Sequence, residues 1–399
     1  MDARRTKQFP LLILMANMLI AMTGIGLIIP IMPTIIQEFN AGGQVFGLLI
    51  ATFAFAQFLF SPLAGDLSDR LGRKKTIIAG LFLFSASQLI FAFAQDLWML
   101  FVSRLLGGTG AAFMIPSMMA YVADVTAPED RAKGMGRLGA SMSLGFVIGP
   151  GIGGFLAEFG LRAPFLIAAA VSAVSGIISL LVLPETRKEP AGETGVPMQK
   201  RENLIKQLIR STKTHYFTLL IMMFTLSFGL ANFQSTISLF VDIKFGFTPK
   251  DISFLMVTGG LVGVIIQAFV LDWMLRKYGE IRVMNATLFI SAAAMFTILF
   301  TIGFWSIMAV SAIFFISTSL LRPSINTMVS KMAGDEQGFA AGMINAYMSI
   351  GNMIGPAIAG ALFDINMGFP YIFGSFIILV CLFISIWWSR NRAIQVEGH

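Results

Sequence analysis

Gly145-Phe-Val-Ile-Gly149-Pro150-Gly-Ile-Gly-Gly154 returns as Gly351-Asn-Met-Ile-Gly355-Pro356-Ala-Ile-Ala-Gly360, each shared residue displaced by 206 positions. Flanking landmarks keep the step: Glu158 meets Asp364 and Pro164 meets Pro370, while Pro116-Ser117 meets Pro323-Ser324 at 207. Both copies sit in apolar runs, and such runs fill the chain at about 10–36, 46–64, 76–95, 97–123, 135–157, 163–183, 215–241, 252–274, 282–303, 305–330, 338–363 and 368–389. A helix needs about 20 apolar residues to cross the ~30 Å hydrocarbon core of a bilayer. Only 12% of the 399 residues are charged, 56% are hydrophobic and the mean hydropathy is +0.80, against about 25% charged in a soluble domain. The pattern predicts an all-α integral membrane protein: twelve transmembrane helices in two six-helix pseudo-symmetric halves, 1–183 and 215–399, joined by a segment at 184–214.

The first run follows Arg4, Arg5 and Lys7 but is too long for the apolar core of a signal peptide, so it is read as an uncleaved first span. Of the 28 Lys and Arg, all but five fall on the side of the spans that holds both termini. Arg162, Lys244 and Lys250 fall on the other side, and Arg104 and Arg322 lie inside spans. The positive-inside rule then places both termini on the cytoplasmic side of a cell (inner) membrane. The net charge of +7 is thereby assigned to topology, not to nucleic acid. The segment 184–214 holds Pro190, Gly192, Gly195 and Pro197, as a linker does. From Lys200 to Lys213, Leu204, Ile205, Leu208 and Ile209 alternate with cations at helical spacing, which suits either a short amphipathic helix on the membrane face or a basic solvated linker.

Duplicated six-helix units point to transport, with a substrate site at the repeat interface. Gly65-Asp-Leu-Ser-Asp69-Arg70-Leu-Gly72-Arg73-Lys-Lys closes the second span and resembles the loop signature of the major facilitator superfamily, G-x-x-x-D-R-x-G-R-R/K. An anion such as Asp69 suits a helix N-terminus, and Arg70 and Arg73 can pair with acids, Asp124 being the natural partner. The resemblance implies that Asp69, Arg73 and Asp124 form a cytoplasmic latch that holds the outward-open state. A plain cationic anchor would explain Lys74 and Lys75 but not Asp69 or the glycines. Gly136-x8-Gly145-x3-Gly149-Pro150-x2-Gly153-Gly154 resembles the family's antiporter signature at every position. Small residues four apart also allow close helix packing, and Pro150 removes one backbone hydrogen bond.

Arg104, in Phe101-Val-Ser-Arg104-Leu-Leu-Gly-Gly108, resembles the membrane arginine that the family associates with proton transfer. A charge there either faces a cavity or partner or snorkels to the outer surface. More closely, the chain is similar to Gram-positive multidrug efflux antiporters of the quinolone-exporting kind. The similarity rests on Gly24-Ile-Gly-Leu-Ile-Ile-Pro30 with Pro33, Ser227-Phe-Gly-Leu230 and Gly338-Phe-Ala-Ala-Gly342. It implies export of amphipathic drugs in exchange for protons, with Phe53, Gln57, Arg104, Phe146 and Arg322 among the pocket residues; Phe233 and Gln234 are added to the expected substrate contacts.

Two positions depart from that group: Gln234 and Ser319 stand where its members carry carboxylates, and neither titrates. A proton-coupled exporter needs a group that titrates near physiological pH, and every acid here lies in a loop or at a helix end. Asp124 and Asp242 are the remaining candidates, set against a latch salt bridge for Asp124 and a loop acid beside Lys244 for Asp242. The missing carboxylates shift the expected substrates toward neutral, zwitterionic or anionic amphiphiles.

No G-x-x-x-x-G-K-S/T loop is present, so the proton gradient is the expected energy source. One cysteine, Cys381, and two histidines, His215 and His399, build no metal site. No cofactor and no enzymatic activity are expected, and the expected state is a monomer. The rivals are a dedicated exporter or uncoupled facilitator of one metabolite or lipid-like compound, and a membrane sensor or scaffold that no longer transports.

Overall fold

The computed structural model describes residues 3–127, 129–186 and 204–397. In chain order the helices are α1 Ala3–Gly26, α2 Met32–Glu38, α3 Gly43–Leu71, α4 Arg73–Ala92, α5 Leu97–Val125, α6 Arg131–Ala157, α7 Ala163–Val182, α8 Leu204–Ser211, α9 Phe217–Phe245, α10 Pro249–Phe269, α11 Leu271–Tyr278, α12 Glu280–Thr297, α13 Phe304–Ala333, α14 Gln337–Ile365 and α15 Phe369–Glu397. All but α2, α8 and α11 are long and apolar enough to cross a membrane, giving the expected 12 spans. They are apolar all round, as helices buried in lipid and protein must be.

Two spans end earlier than the sequence reading places them. The first span stops at Gly26 and restarts at Met32. Pro30 brings no N–H and its ring would clash with the carbonyl of Gly26, four residues back, so the chain passes through turns instead. The eighth span ends at Phe269, and Leu271–Tyr278 forms its own helix after Val270. Within the linker, Leu204–Ser211 is helical, in keeping with the amphipathic alternative. Pro190, Gly192, Gly195, Pro197 and the cations Arg187, Lys188, Lys200 and Arg201 lie outside the described residues.

The contacts gather into two units: residues 1–41, 48–194 and 246–257, and residues 42–47, 195–245 and 258–399. In the first, α6 lies along α1 because its glycines leave room for backbone. A Cβ on Gly145 would come to 2.5 Å from the Leu19 carbonyl oxygen, and one on Gly149 to 2.8 Å from that of Thr23. In the second, α14 lies along α9 by the same device: a Cβ on Gly351 would come to 2.7 Å from the Phe224 carbonyl oxygen, and one on Gly355 to 2.7 Å from that of Phe228. Buried polar side chains tie helices where no water can. Asn17 donates to Ser179 Oγ at 2.8 Å and accepts from Ser175 Oγ at 2.5 Å, joining α1 to α7.

One such tie exposes the duplication at atomic level. Ser85 Oγ on α4 donates to the Ala169 carbonyl on α7 at 2.8 Å, and Ser375 Oγ on α15 donates to the Ala292 carbonyl on α12, also at 2.8 Å. Residues 85 and 292, and 169 and 375, are repeat mates at the 207 and 206 displacements. The same helix contact is made in both units with donor and acceptor exchanged.

Candidate functional site

Three groups of residues carry the chemistry, and each is built inside one unit. The first lies where α3 turns into α4. Gly72 takes φ +106° and ψ 152°, a conformation open in practice only to glycine, and so lets α3 and α4 follow each other with no linker. Arg73, the first residue of α4, forms an ion pair with Asp69 one turn back on α3. Its Nε donates to Asp124 Oδ2 at 3.2 Å, near the end of α5, and its Nη1 donates to Ser68 Oγ at 3.2 Å. The structure therefore brings Asp69, Gly72, Arg73 and Asp124 together as the motif suggested. Arg70 is exposed, and Gly65 is half-buried two turns up α3.

Glu185 completes this cluster and was not singled out in the sequence. Its Oε1 accepts the backbone N–H of Arg73 at 2.9 Å and of Thr186 at 3.0 Å, and Thr186 Oγ1 donates to Asp124 Oδ2 at 3.2 Å. A carboxylate at a helix start satisfies orphan N–H groups and suits the macrodipole, which offsets the cation that Arg73 places there. The available signal was an acid directly after the sixth span, in Pro184-Glu185-Thr186. A Cβ on Gly72 would run into the Glu185 carboxylate and push it aside, while the backbone conformation itself calls for glycine.

The second group is the glycine signature on α6. Gly145, Gly149 and Gly153 face α1, and Gly153 lies against the Leu27 carbonyl where the first span breaks. Gly154 meets Ser253 on α10, whose Oγ donates to the carbonyl of Pro150 itself at 2.7 Å. Gly136 has nothing within 4 Å of an added Cβ and serves no packing contact in this conformation.

The third group surrounds Arg104. It is 5% exposed, its Nε has no hydrogen-bond partner, and no ion pair to it exists among the described residues. Two rings cover the guanidinium: Phe91 at 4.9 Å and Phe53 at 5.7 Å from ring centroid. Phe91 is held in turn by stacking on Phe165 at 4.3 Å. Cation–π contacts supply on the order of 2 kcal/mol each when desolvated, less than the several kcal/mol it costs to bury an ion. The cation is therefore held beneath two aromatic rings with no acid among the described residues to pair it, and it does not reach the surface in this conformation.

The remaining expected residues separate by environment. Phe53 belongs to the apolar core of the first unit and Phe146 packs against that core, while Gln57 is half-buried one turn from Phe53. In the second unit, Phe233 has no exposed surface; it stacks on Phe314 at 4.2 Å and meets Phe315 edge-on at 5.6 Å, so it packs the core. Its neighbour Gln234 is half-buried, and Arg322 is exposed. Ser319 lies against Gly263, a close approach of α13 to α10. Asp242 is half-buried near the end of α9, and Lys244 donates to the Leu299 carbonyl at 2.9 Å. Every described acid within a span lies in the first or last two turns of its helix.

Comparison with known proteins agrees with this architecture. The family model of the Major Facilitator Superfamily matches residues 14–270 and 219–397. Multidrug resistance protein 2 of Bacillus subtilis is 41% identical over 381 residues, covering 96% of this chain and 95% of its own. Quinolone resistance protein NorA of Staphylococcus aureus is 35% identical over 382 residues, covering 96% and 97%. A solved bacterial homologue of the human lysosomal transporter Spinster superposes with a TM-score of 0.78 at 16% identity, covering 98% of both chains. With twelve spans, a duplicated six-helix unit, both sequence signatures and relatives of this similarity along nearly its whole length, the chain is a multi-pass membrane protein that belongs to the major facilitator superfamily.

Proposed function

We propose that this protein is a proton-coupled multidrug efflux transporter that expels amphipathic drugs across a bacterial cell membrane by alternating access, with both termini cytoplasmic. The observation that carries the reading is the 35–41% identity, over nearly the full chain, to relatives each named for drug resistance. Arg104, buried without a counter-charge, supports a role in coupling or in holding an anionic substrate group. Asp69, Arg73, Asp124 and Glu185 are the conformational latch in this reading, and the α6 glycines are the sliding surface along α1. Phe53, Gln57, Phe146, Gln234 and Arg322 are the proposed substrate contacts.

Gln234 and Ser319 favour zwitterionic or neutral drugs over simple cations, since neither offers a negative charge. The same two residues support a second reading, an uncoupled facilitator of one compound. Efflux assays in a drug-sensitive bacterial host separate the two. Norfloxacin and ethidium accumulation should fall when the chain is expressed, and collapse of the proton gradient should restore it. Counterflow of preloaded drug that runs equally with the gradient collapsed, with no fall in accumulation, supports the facilitator and overturns proton coupling.

A further inference from the structure

Three charges around Gly72 recur in the second unit with their signs reversed, while Arg70 and Lys75 keep theirs at Lys277 and Arg282. At the displacement of 207 that carries Pro116-Ser117 onto Pro323-Ser324, Asp69 maps to Arg276, Arg73 to Glu280 and Asp124 to Lys331, while Gly72 maps to Gly279. The backbone is the same at both glycines: φ +106° and ψ 152° at Gly72, φ +77° and ψ 158° at Gly279, each directly ahead of a spanning helix. Arg73 bridges from the first residue of α4 to the last turn of α5. Glu280 bridges from the first residue of α12 to Lys331 in the last turn of α13. A bridge of this kind survives a change of sign only if both partners change.

The sign also explains a difference between the units. A cation at the start of α4 opposes the helix dipole, and Glu185 offsets it by holding the N–H of Arg73. Glu280 itself supplies a carboxylate to the first turn of α12, so no second acid is required. At the 206 displacement that holds from Gly145 onward, the residue that maps onto Glu185 is Asn391. The third mate, Arg276, turns to Asp272 on its own helix at 3.9 Å, so the essential pair of the second unit is Glu280 with Lys331. Ion pairs this exposed add little to stability, which leaves positioning as their use.

We propose that Glu280 and Lys331 are positioning residues of the transport cycle, a sign-reversed counterpart of Arg73 and Asp124 that sets α12 against α13. The proposal rests on the transport reading, and its test includes a readout that needs no drug movement. In a Cys381→Ser background, Tyr278→Cys places a thiol beside Gly279 for labelling by a membrane-impermeant maleimide in inside-out vesicles. Glu280→Lys and Lys331→Glu should each raise the labelling rate about threefold and lower the ethidium efflux Vmax about fivefold, with KM changed less than about twofold, and the double reversal should recover at least about half of both, as coupled sites do. Labelling rates unchanged in the single variants, or a double variant no better than the worse single, would overturn the proposal even if the protein moves no ethidium. If a reversal fails to fold, Glu280→Gln and Lys331→Gln carry the same cycle: coupling makes the pair no worse than either alone, whereas multiplied losses overturn it.

Discussion

Gly72→Ala places a methyl group where α3 turns into α4, and two separable effects follow. The backbone at φ +106° and ψ 152° is one that a non-glycine residue occupies at a cost of about 1–3 kcal/mol. The new Cβ also displaces the Glu185 carboxylate from the N–H of Arg73, and loss of a helix cap costs about 0.5–2 kcal/mol. The total is about 1.5–5 kcal/mol. Gly279→Ala provides an internal reference, because it has the same backbone but nothing within 4 Å of the added Cβ. It should show the strain alone, about 1–3 kcal/mol. The assay is unfolding of the purified protein by SDS titration in mixed micelles, with Glu185→Ala made in both backgrounds. Once Glu185 is truncated, Gly72→Ala should cost no more than Gly279→Ala. If Gly72→Ala costs the same with and without the Glu185 side chain, the cap assigned to Glu185 is wrong.

The antiporter signature should divide by position. Gly153→Ala drives a methyl group into the Leu27 carbonyl and should destabilise by about 1–3 kcal/mol, while Gly136→Ala, facing open space, should stay within about 0.5 kcal/mol of native; the same SDS titration checks both. Asn17→Val removes two buried hydrogen bonds between α1 and α7 and should cost about 0.6–2 kcal/mol, the range for polar ties within membranes. Gln234→Glu introduces a half-buried carboxylate on α9 and should raise ethidium efflux relative to norfloxacin efflux, read as a ratio of KM values for the two drugs.

The fold was legible because its signals are long. Twelve apolar runs and a repeat of glycines at one fixed displacement leave few architectures open. What the sequence hid was local. Pro30 and Pro33 marked the break after Gly26, but prolines are tolerated inside other spans here, Pro62, Pro116 and Pro150 among them, so their presence alone did not decide a stop. The cluster at Asp69, Arg73 and Asp124 was visible through its motif, whereas Glu185 acts through backbone N–H groups that no side-chain pattern announces. Phe233 is an expected substrate contact that has no exposed surface in this conformation, where its ring stacks on Phe314, a burial that the residue type alone does not announce. The sign-reversed pair at Glu280 and Lys331 lies at the 207 displacement, but opposite charge is not identity, so a repeat of identical residues does not display it.

Proton coupling is the central claim, and it is tested most directly by following protons and drug together. Purified protein is reconstituted into liposomes containing a pH-sensitive dye, with no imposed gradient, and norfloxacin or ethidium is added outside. The account predicts that drug uptake drives a proton flux in the opposite direction, with the flux lost in Arg104→Ala protein. Drug movement with no change in internal pH, equal in native and Arg104→Ala protein, would contradict it.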